Sequence, residues 1–273
     1  MIDRYAVIGN PIAHSKSPQI HTLFAHENGQ DIEYGRLLAP RDGFREAVER
    51  FRAEGGRGLN VTVPFKEEAY RFATAHSERA RGAEAVNTLR FDADVIFGDN
   101  TDGAGLVRDI RENLGVAIAG RRVMLLGAGG AARGVIGPLL AEGPSELTIA
   151  NRNVERARVL ERRFALRSGP DIRASAYDAL SGGQFDIVIN ATSASLAGAL
   201  PPLPQGIFAT GSLAYDVMYG AGATPFLEWA RGQGASLTAD GLGMLIEQAA
   251  ESFLVWRGIR PYTATVFASL LSA

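Results

Sequence analysis

The chain contains no cysteine. That excludes disulfides, thiolate metal sites and a cysteine nucleophile, and it fits a reducing compartment. Lysine is nearly absent too: of 28 basic residues only Lys16 and Lys66 are lysines. In a chain so committed to arginine, a lysine raises the question of what arginine could not do there. One answer is to release a proton near neutral pH. Charge of one sign is also lacking. The net charge is −2 and the pI about 6.1, so there is no basic footprint for nucleic acid. No apolar run approaches the roughly 18 residues of a membrane span, so no membrane partner is expected. The four histidines, His14, His21, His26 and His76, show no HExxH or clustered spacing. There is no G-x-S-x-G elbow, and neither lysine stands in a Walker loop. Metal-hydrolase, serine-hydrolase and P-loop chemistry therefore drop out, and no metal is expected. The first residues read as a strand rather than as a charged segment followed by an apolar one, which makes a cytoplasmic protein the expectation.

What is present is an ordinary globular composition. The 273 residues are 46% hydrophobic and 21% charged, enough for two domains with real cores. Strand and helix patterns alternate from the start, which reads as α/β. Tyr5–Gly9, Glu33–Ala39 and Gly58–Val63 are predicted strands. Ser17 followed by Pro18 predicts a helix N-cap and a helix to Asn28, and Phe44, Val48 and Phe51 give one apolar face to a helix over 43–54. Asn87–Phe91 and Val95–Gly98 form a predicted hairpin, and Ala104–Asn113 a helix.

After a linker at 115–120, a fresh β-α-β series begins, and a domain boundary is placed there. Its first turn is Arg122-Val-Met-Leu-Leu-Gly-Ala-Gly-Gly-Ala-Ala-Arg133: a buried strand, a glycine turn and a helix start. Such a turn aims free N–H groups and a positive dipole end at a ligand, and suits a pyrophosphate. It has the G-x-G-x-x-A form of the dinucleotide fingerprint, with Ala132 third. The next predicted strand, Glu146–Ala150, ends in Asn151-Arg152 with no carboxylate to take a ribose 2′-hydroxyl; Glu146 begins that strand and is at the wrong end. Arg152, with Arg156 one turn on, suits a 2′-phosphate, so NADP is the expected cofactor. Arg158, Arg162 and Arg163 read as a solvated helix face.

In the first half, Asn60-Val-Thr-Val-Pro-Phe-Lys66 puts polar side chains and a lysine at the carboxyl end of a strand, where open α/β sheets bind ligands. Lys66 there is a candidate general acid/base. Asp102, in Asp99-Asn-Thr-Asp102-Gly103, is either the N-cap of the following helix or the carboxylate partner of Lys66.

These motifs, in this order, resemble the shikimate/quinate dehydrogenase family over nearly the whole chain. The resemblance implies an N-terminal α/β substrate domain over 1–103, completed by C-terminal helices over 243–273 that return to it, and a Rossmann-type NADP-binding domain over 104–242. From Gly9-Asn-Pro-Ile-Ala-His-Ser-Lys-Ser-Pro18 it implies Ser15 and Ser17 as ligands of a substrate carboxylate. Thr62, Asn87, Tyr219 and Gln248 become substrate contacts, and Lys66 with Asp102 the catalytic pair. Gly127, Ala128, Gly129, Gly130, Ala131, Asn151, Arg152, Arg156, Thr192, Ser193, Met218 and Gly241 become the cofactor contacts. Asn153 departs from the usual Asn-Arg-Thr triplet. The implied activity is reversible reduction of 3-dehydroshikimate to shikimate by NADPH, with that small molecule as the partner and a monomer or a homodimer as the assembly. The alternatives are a quinate/shikimate dehydrogenase of shifted specificity and a non-catalytic, NADP-responsive binding protein.

Overall fold

This computed structural model describes residues 2–165, 169–192, 199–220 and 222–271. The elements run β1 (Asp3–Gly9), α1 (Ser17–Glu27), β2 (Ile32–Leu38), α2 (Phe44–Ala53), β3 (Gly56–Val61), α3 (Lys66–Phe72), β4 (Ala75–His76), α4 (Glu78–Ala83), β5 (Thr88–Phe91), β6 (Ile96–Asp99) and α5 (Asp102–Arg108). They continue with a π-helical turn (Asp109–Asn113), β7 (Arg122–Leu126), α6 (Gly130–Ala141), β8 (Glu146–Ala150), α7 (Val154–Phe164) and β9 (Asp171–Ser175). A 3-10 turn, β10 (Phe185–Asn190), β11 (Phe208–Asp216), α8 (Pro225–Gly232), β12 (Leu237–Ala239), α9 (Leu242–Arg257) and α10 (Ala264–Leu271) complete the chain. Two compact units result: Met1–Gly105 with Leu245–Ala273, and Leu106–Met244. The first division falls inside α5, ahead of the 115–120 linker.

The first unit is built on a six-stranded sheet of order β2-β1-β3-β5-β6-β4. Strands β2, β1 and β3 are parallel, and the expected hairpin β5–β6 is antiparallel. Alternation along β1 sends Ala6 and Ile8 to one core, with Phe44, Val48 and Phe51 of α2 and Phe65 and Phe72 around α3. Tyr5 and Val7 face the other way, toward Tyr34 and Trp256. Trp256 of α9 stacks on Tyr5 at 4.6 Å and its indole N–H donates to the Leu89 carbonyl at 2.9 Å. The C-terminal helices thus belong to the first unit.

The second unit is a parallel sheet of order β9-β8-β7-β10-β11-β12. This is the doubly wound order, with the strand sequence reversing between β7 and β10. In β7, Val123 and Leu125 pack under α6 and α7 while Met124 and Leu126 pack under α8. A strand buried on both faces reads as an unbroken apolar run, which is why its sequence was legible.

Two local expectations are corrected. Ser17 is the first helical residue of α1 rather than its N-cap; Lys16 occupies the cap position with helical backbone and no side-chain cap. The helix expected over 104–113 starts at Asp102 and changes to the π-helical turn at Asp109. There the buried Asp109 carboxylate accepts from the Asn113 amide at 2.8 Å and the Tyr215 hydroxyl at 2.6 Å.

Candidate active site

Strand β3 ends at Val61, and Pro64 prevents its extension by lacking an N–H. The chain turns and starts α3 at Lys66, whose ammonium reaches Asp102 Oδ2 at 2.5 Å. Both side chains are largely buried, 14% and 6% exposed. Asp102 opens α5 but does not cap it: its own N–H donates to Asn100 Oδ1 at 3.2 Å, and its second oxygen accepts from Asn87 Nδ2 at 2.8 Å. The local N-cap reading of Asp102 is therefore replaced by the long-range one.

Asn87 Nδ2 also donates to Thr101 Oγ1 at 2.8 Å and to Gln248 Oε1 at 3.2 Å. Gln248 reaches this point from α9, anchored by its own Nε2 on the Leu245 carbonyl. Four of the residues expected from the sequence, Lys66, Asp102, Asn87 and Gln248, are thus joined directly. Asp99, the other carboxylate of the Asp99–Asp102 stretch, has a different job. Burial pushes its carboxyl up, but the Arg79 guanidinium, at 2.7 Å from each oxygen, overrides this and leaves it below the ordinary value.

The serine loop follows β1. Ser15 Oγ donates to Ser17 Oγ at 3.1 Å, and the Arg36 guanidinium holds the Ser15 carbonyl at 2.6 and 3.2 Å. Thr62 stands just past β3, its N–H on the Ile8 carbonyl at 3.0 Å. A Cβ on Gly9 would strike the Thr62 methyl, so the β1 and β3 ends lie against each other.

Between the serine loop and the lysine–carboxylate pair lies a polar island that the sequence did not reveal. The Tyr34 hydroxyl donates to Asn60 Oδ1 at 2.7 Å. His21 Nε2 meets the same oxygen at 3.1 Å and its ring stacks on Tyr34 at 4.4 Å. Asn60 Nδ2 then faces Ser252 Oγ at 2.9 Å and Thr88 Oγ1 at 3.2 Å. His21 is fully buried, which drives its pKa down to about 3 against the opposing pull of Asn60. Burial likewise raises the Tyr34 and Tyr215 phenols well above their usual range. Two signals for the island were available: Ser252 sits one helical turn after Gln248, and Thr88 and Thr101 adjoin residues already singled out.

In the second unit, Gly127 follows β7 with φ +110, and a Cβ there would lie 3.0 Å from the Ala191 carbonyl oxygen just past β10. This is the point where the strand order reverses, and where doubly wound sheets bind nucleotides. Ala128 precedes Gly129, which occupies the N-cap of α6 without a side-chain cap. The first N–H groups of α6, from Gly130 and Ala131, are therefore available for a pyrophosphate. Ala132 is fully buried against the sheet.

At the end of β8, Asn151 Nδ2 donates to the Asn153 carbonyl at 2.8 Å. Asn153 caps α7 by accepting the Glu155 N–H, which gives this departure from the family triplet a structural role. Arg152 and Arg156 are exposed, as are Arg158, Arg162 and Arg163. Thr192 donates to Asn190 Oδ1 at 2.7 Å, and the Met218 N–H to Asp216 Oδ1 at 3.0 Å. Gly241 touches the Val217 carbonyl where any Cβ would collide. Tyr219 belongs to this unit and is half-buried. Ser193 lies outside the described residues. The residues present fit a dinucleotide with a 2′-phosphate: a glycine turn at an uncapped helix start, and guanidinium rather than carboxylate after β8.

A doubly wound nucleotide-binding unit in one chain with a buried lysine–carboxylate pair defines a nicotinamide-dependent oxidoreductase. Residues 7–89 match the family described as shikimate dehydrogenase substrate binding domain, and residues 109–197 that described as shikimate/quinate 5-dehydrogenase. A protein named shikimate dehydrogenase (NADP(+)) from Nitrosospira multiformis is 61% identical over 273 residues, covering 100% of this chain and 98% of its own. An Ael1 enzyme from Pseudomonas putida has a solved structure with TM-score 0.91 at 52% identity, covering 98% of both chains. A shikimate 5-dehydrogenase from Thermus thermophilus, solved in complex with NADP(H) and shikimate, gives TM-score 0.84 at 30% identity over 96% of both chains. The chain belongs to the shikimate dehydrogenase family.

Proposed function

We propose that this protein catalyses the NADPH-dependent, reversible reduction of 3-dehydroshikimate to shikimate, a step toward aromatic amino acids. The observation that carries the reading is the Lys66 ammonium held 2.5 Å from Asp102 within a buried polar surround. Reduced NADP, when bound, supplies the hydride that converts the ketone carbon to an alcohol carbon. Lys66 Nζ polarises the ketone oxygen and gives it the proton that the developing alkoxide requires; in the reverse direction it takes the proton back. Asp102 fixes Nζ and balances its charge, and Asn87 fixes Asp102. Ser15 and Ser17 bind the substrate carboxylate, with Thr62, Asn87, Gln248 and Tyr219 taking the remaining polar groups. Gly127–Ala131 hold the pyrophosphate, and Asn151, Arg152 and Arg156 the 2′-phosphate. Thr192, Ser193, Met218 and Gly241 complete the cofactor contacts. The enzyme is read as cytoplasmic and as a monomer or homodimer.

Replacing Lys66 tests the assignment. Lys66→Ala lowers kcat by about 10²–10⁴, and Lys66→Arg does not restore it, because guanidinium stays protonated. Near-normal turnover in either variant overturns the mechanism. The name of the family matched over 109–197 covers quinate as well as shikimate, so the assay includes both, each with NADP and NAD. A preference for quinate moves the substrate assignment, and NADPH binding without any turnover supports the binding-protein alternative.

A further inference from the structure

The polar island beneath the lysine–carboxylate pair has a direction. Asn60 Oδ1 receives the Tyr34 hydroxyl at 2.7 Å and faces His21 Nε2 at 3.1 Å. Its Nδ2 hydrogens must therefore point the other way, toward Ser252 Oγ and Thr88 Oγ1 at 2.9 and 3.2 Å. The Ser252 hydroxyl donates to the Gln248 carbonyl one turn earlier in α9 at 3.0 Å. The Thr88 hydroxyl lies 2.8 Å from Ser252 Oγ and 2.9 Å from Asn87 Oδ1; directed at Asn87, it joins the Thr101 N–H, which donates to the same oxygen at 2.8 Å. With its oxygen claimed on that side, the Asn87 amide presents Nδ2 to Asp102 Oδ1 at 2.8 Å. Along Tyr34, Asn60, Thr88 and Asn87, hydroxyls and amides alternate so that each donates toward the carboxylate, with Ser252 as a side branch that donates to the Gln248 carbonyl. Thr88 is the middle link. It is completely buried, so it reaches no substrate.

We infer that Thr88 is a positioning residue for the reaction: its hydroxyl, backed by Asn60 and Ser252, fixes the Asn87 amide so that Asn87 holds Asp102, and through it Lys66, in the proton-transfer geometry. A valine at this position keeps the shape and the β-branched backbone preference but removes both the donor to Asn87 and the acceptor for Asn60. Asn87 Oδ1 then keeps only its Thr101 donors, so the amide is held less firmly against turning its oxygen toward the Asp102 carboxylate. Asn87 is one substrate contact among several, whereas Asp102 bears on the proton transfer directly, so the loss falls mainly on the chemical step.

This inference rests on Lys66 and Asp102 as the acid–base pair, and the experiment separates the two. Steady-state kinetics with shikimate and NADP are measured for the full-length enzyme, Lys66→Ala, Thr88→Val, Thr88→Ser and Ser252→Ala. In Thr88→Val, kcat falls about three- to tenfold, the size of one buried hydrogen bond. KM for shikimate stays within about twofold, and Thr88→Ser, which keeps the hydroxyl, returns kcat to the wild-type range. Unchanged kcat in Thr88→Val overturns the inference; so does a fall that Thr88→Ser does not repair, or a loss carried by KM alone. If Thr88→Val does not fold, Ser252→Ala decides, by a kcat about threefold lower or unchanged. Turnover retained by Lys66→Ala instead overturns the acid–base reading itself, whatever Thr88 does.

Discussion

Lowering the pH tests the centre of the first unit through His21. This imidazole is enclosed by Tyr34, Phe24, Phe253 and Trp256. Nε2 meets Asn60, while Nδ1 has no hydrogen-bond partner among the described residues. Protonating it would bury a charge and leave an N–H without an acceptor, so its pKa falls from 6.5 to about 3. The unfolded chain binds the proton near pH 6.5 and the native chain does not, so stability declines as pH drops from 6.5 toward 3 and levels off below. Integrated from pH 7.5 to 5, the loss is about 2 kcal/mol from this one residue.

Trp256 supplies the probe, because its ring lies 5.2 Å from that of His21. In a Trp229→Phe background, urea unfolding followed by tryptophan fluorescence reports the first unit. Carboxylates titrate over part of the same range, so the quantity read is the difference between this protein and its His21→Gln derivative at the two pH values. His21→Gln is less stable at pH 7.5 but loses about 2 kcal/mol less on acidification. Equal losses in the two proteins refute the argument, and so does an NMR titration of the His21 ring with a midpoint near 6.5.

Two further outcomes concern the ligands. Arg152→Ala raises KM for NADPH about tenfold or more, the value of a charge-assisted contact to phosphate, while KM for NADH moves little; parallel changes would mean that Arg152 does not read the 2′-phosphate. Ser15→Ala combined with Ser17→Ala raises KM for shikimate by about tenfold or more, and an unchanged KM would mean that the carboxylate is bound elsewhere.

The elements that sequence reading recovered are those whose information is local. Strand β7 is an apolar run ending in glycine, and α2 repeats its apolar residues at Phe44, Ala47, Val48 and Phe51. The features that local reading leaves open or misreads are decided at a distance. Asp102 looks like a cap because acidic residues at helix starts usually are, but Lys66, 36 residues away, takes one of its oxygens. Ser17 looks like a cap for the same kind of reason, yet Ser15 Oγ accepts its N–H at 3.3 Å and the helix starts a residue early. Thr88 and Ser252 are 164 residues apart and 2.8 Å from each other. Nothing in the neighbours of either announces the pairing; only the return of α9 onto the first sheet creates it. The resemblance carried site residues across that gap because its motifs name residues that act together, but it named neither Thr88 nor Ser252 behind them.

The glycines of the second unit differ in what they say about a ligand. Gly241 is dictated by the fold, since a Cβ would run into the Val217 backbone whether or not anything is bound. Gly127 is dictated twice, by φ +110 and by the Ala191 carbonyl. Neither is independent evidence of a dinucleotide. Gly129 is different. Its φ is −90, an ordinary value for any residue, and a Cβ there meets nothing within 4 Å. The folded chain makes no demand for glycine at that position, and glycine costs conformational entropy in the unfolded state. On the proposed function the demand comes from outside the chain: a pyrophosphate approaching the backbone at the uncapped start of α6 would need the open space that a side chain would occupy. Of the three, Gly129 is the one whose glycine the fold alone does not need, which is what the proposed pyrophosphate contact expects.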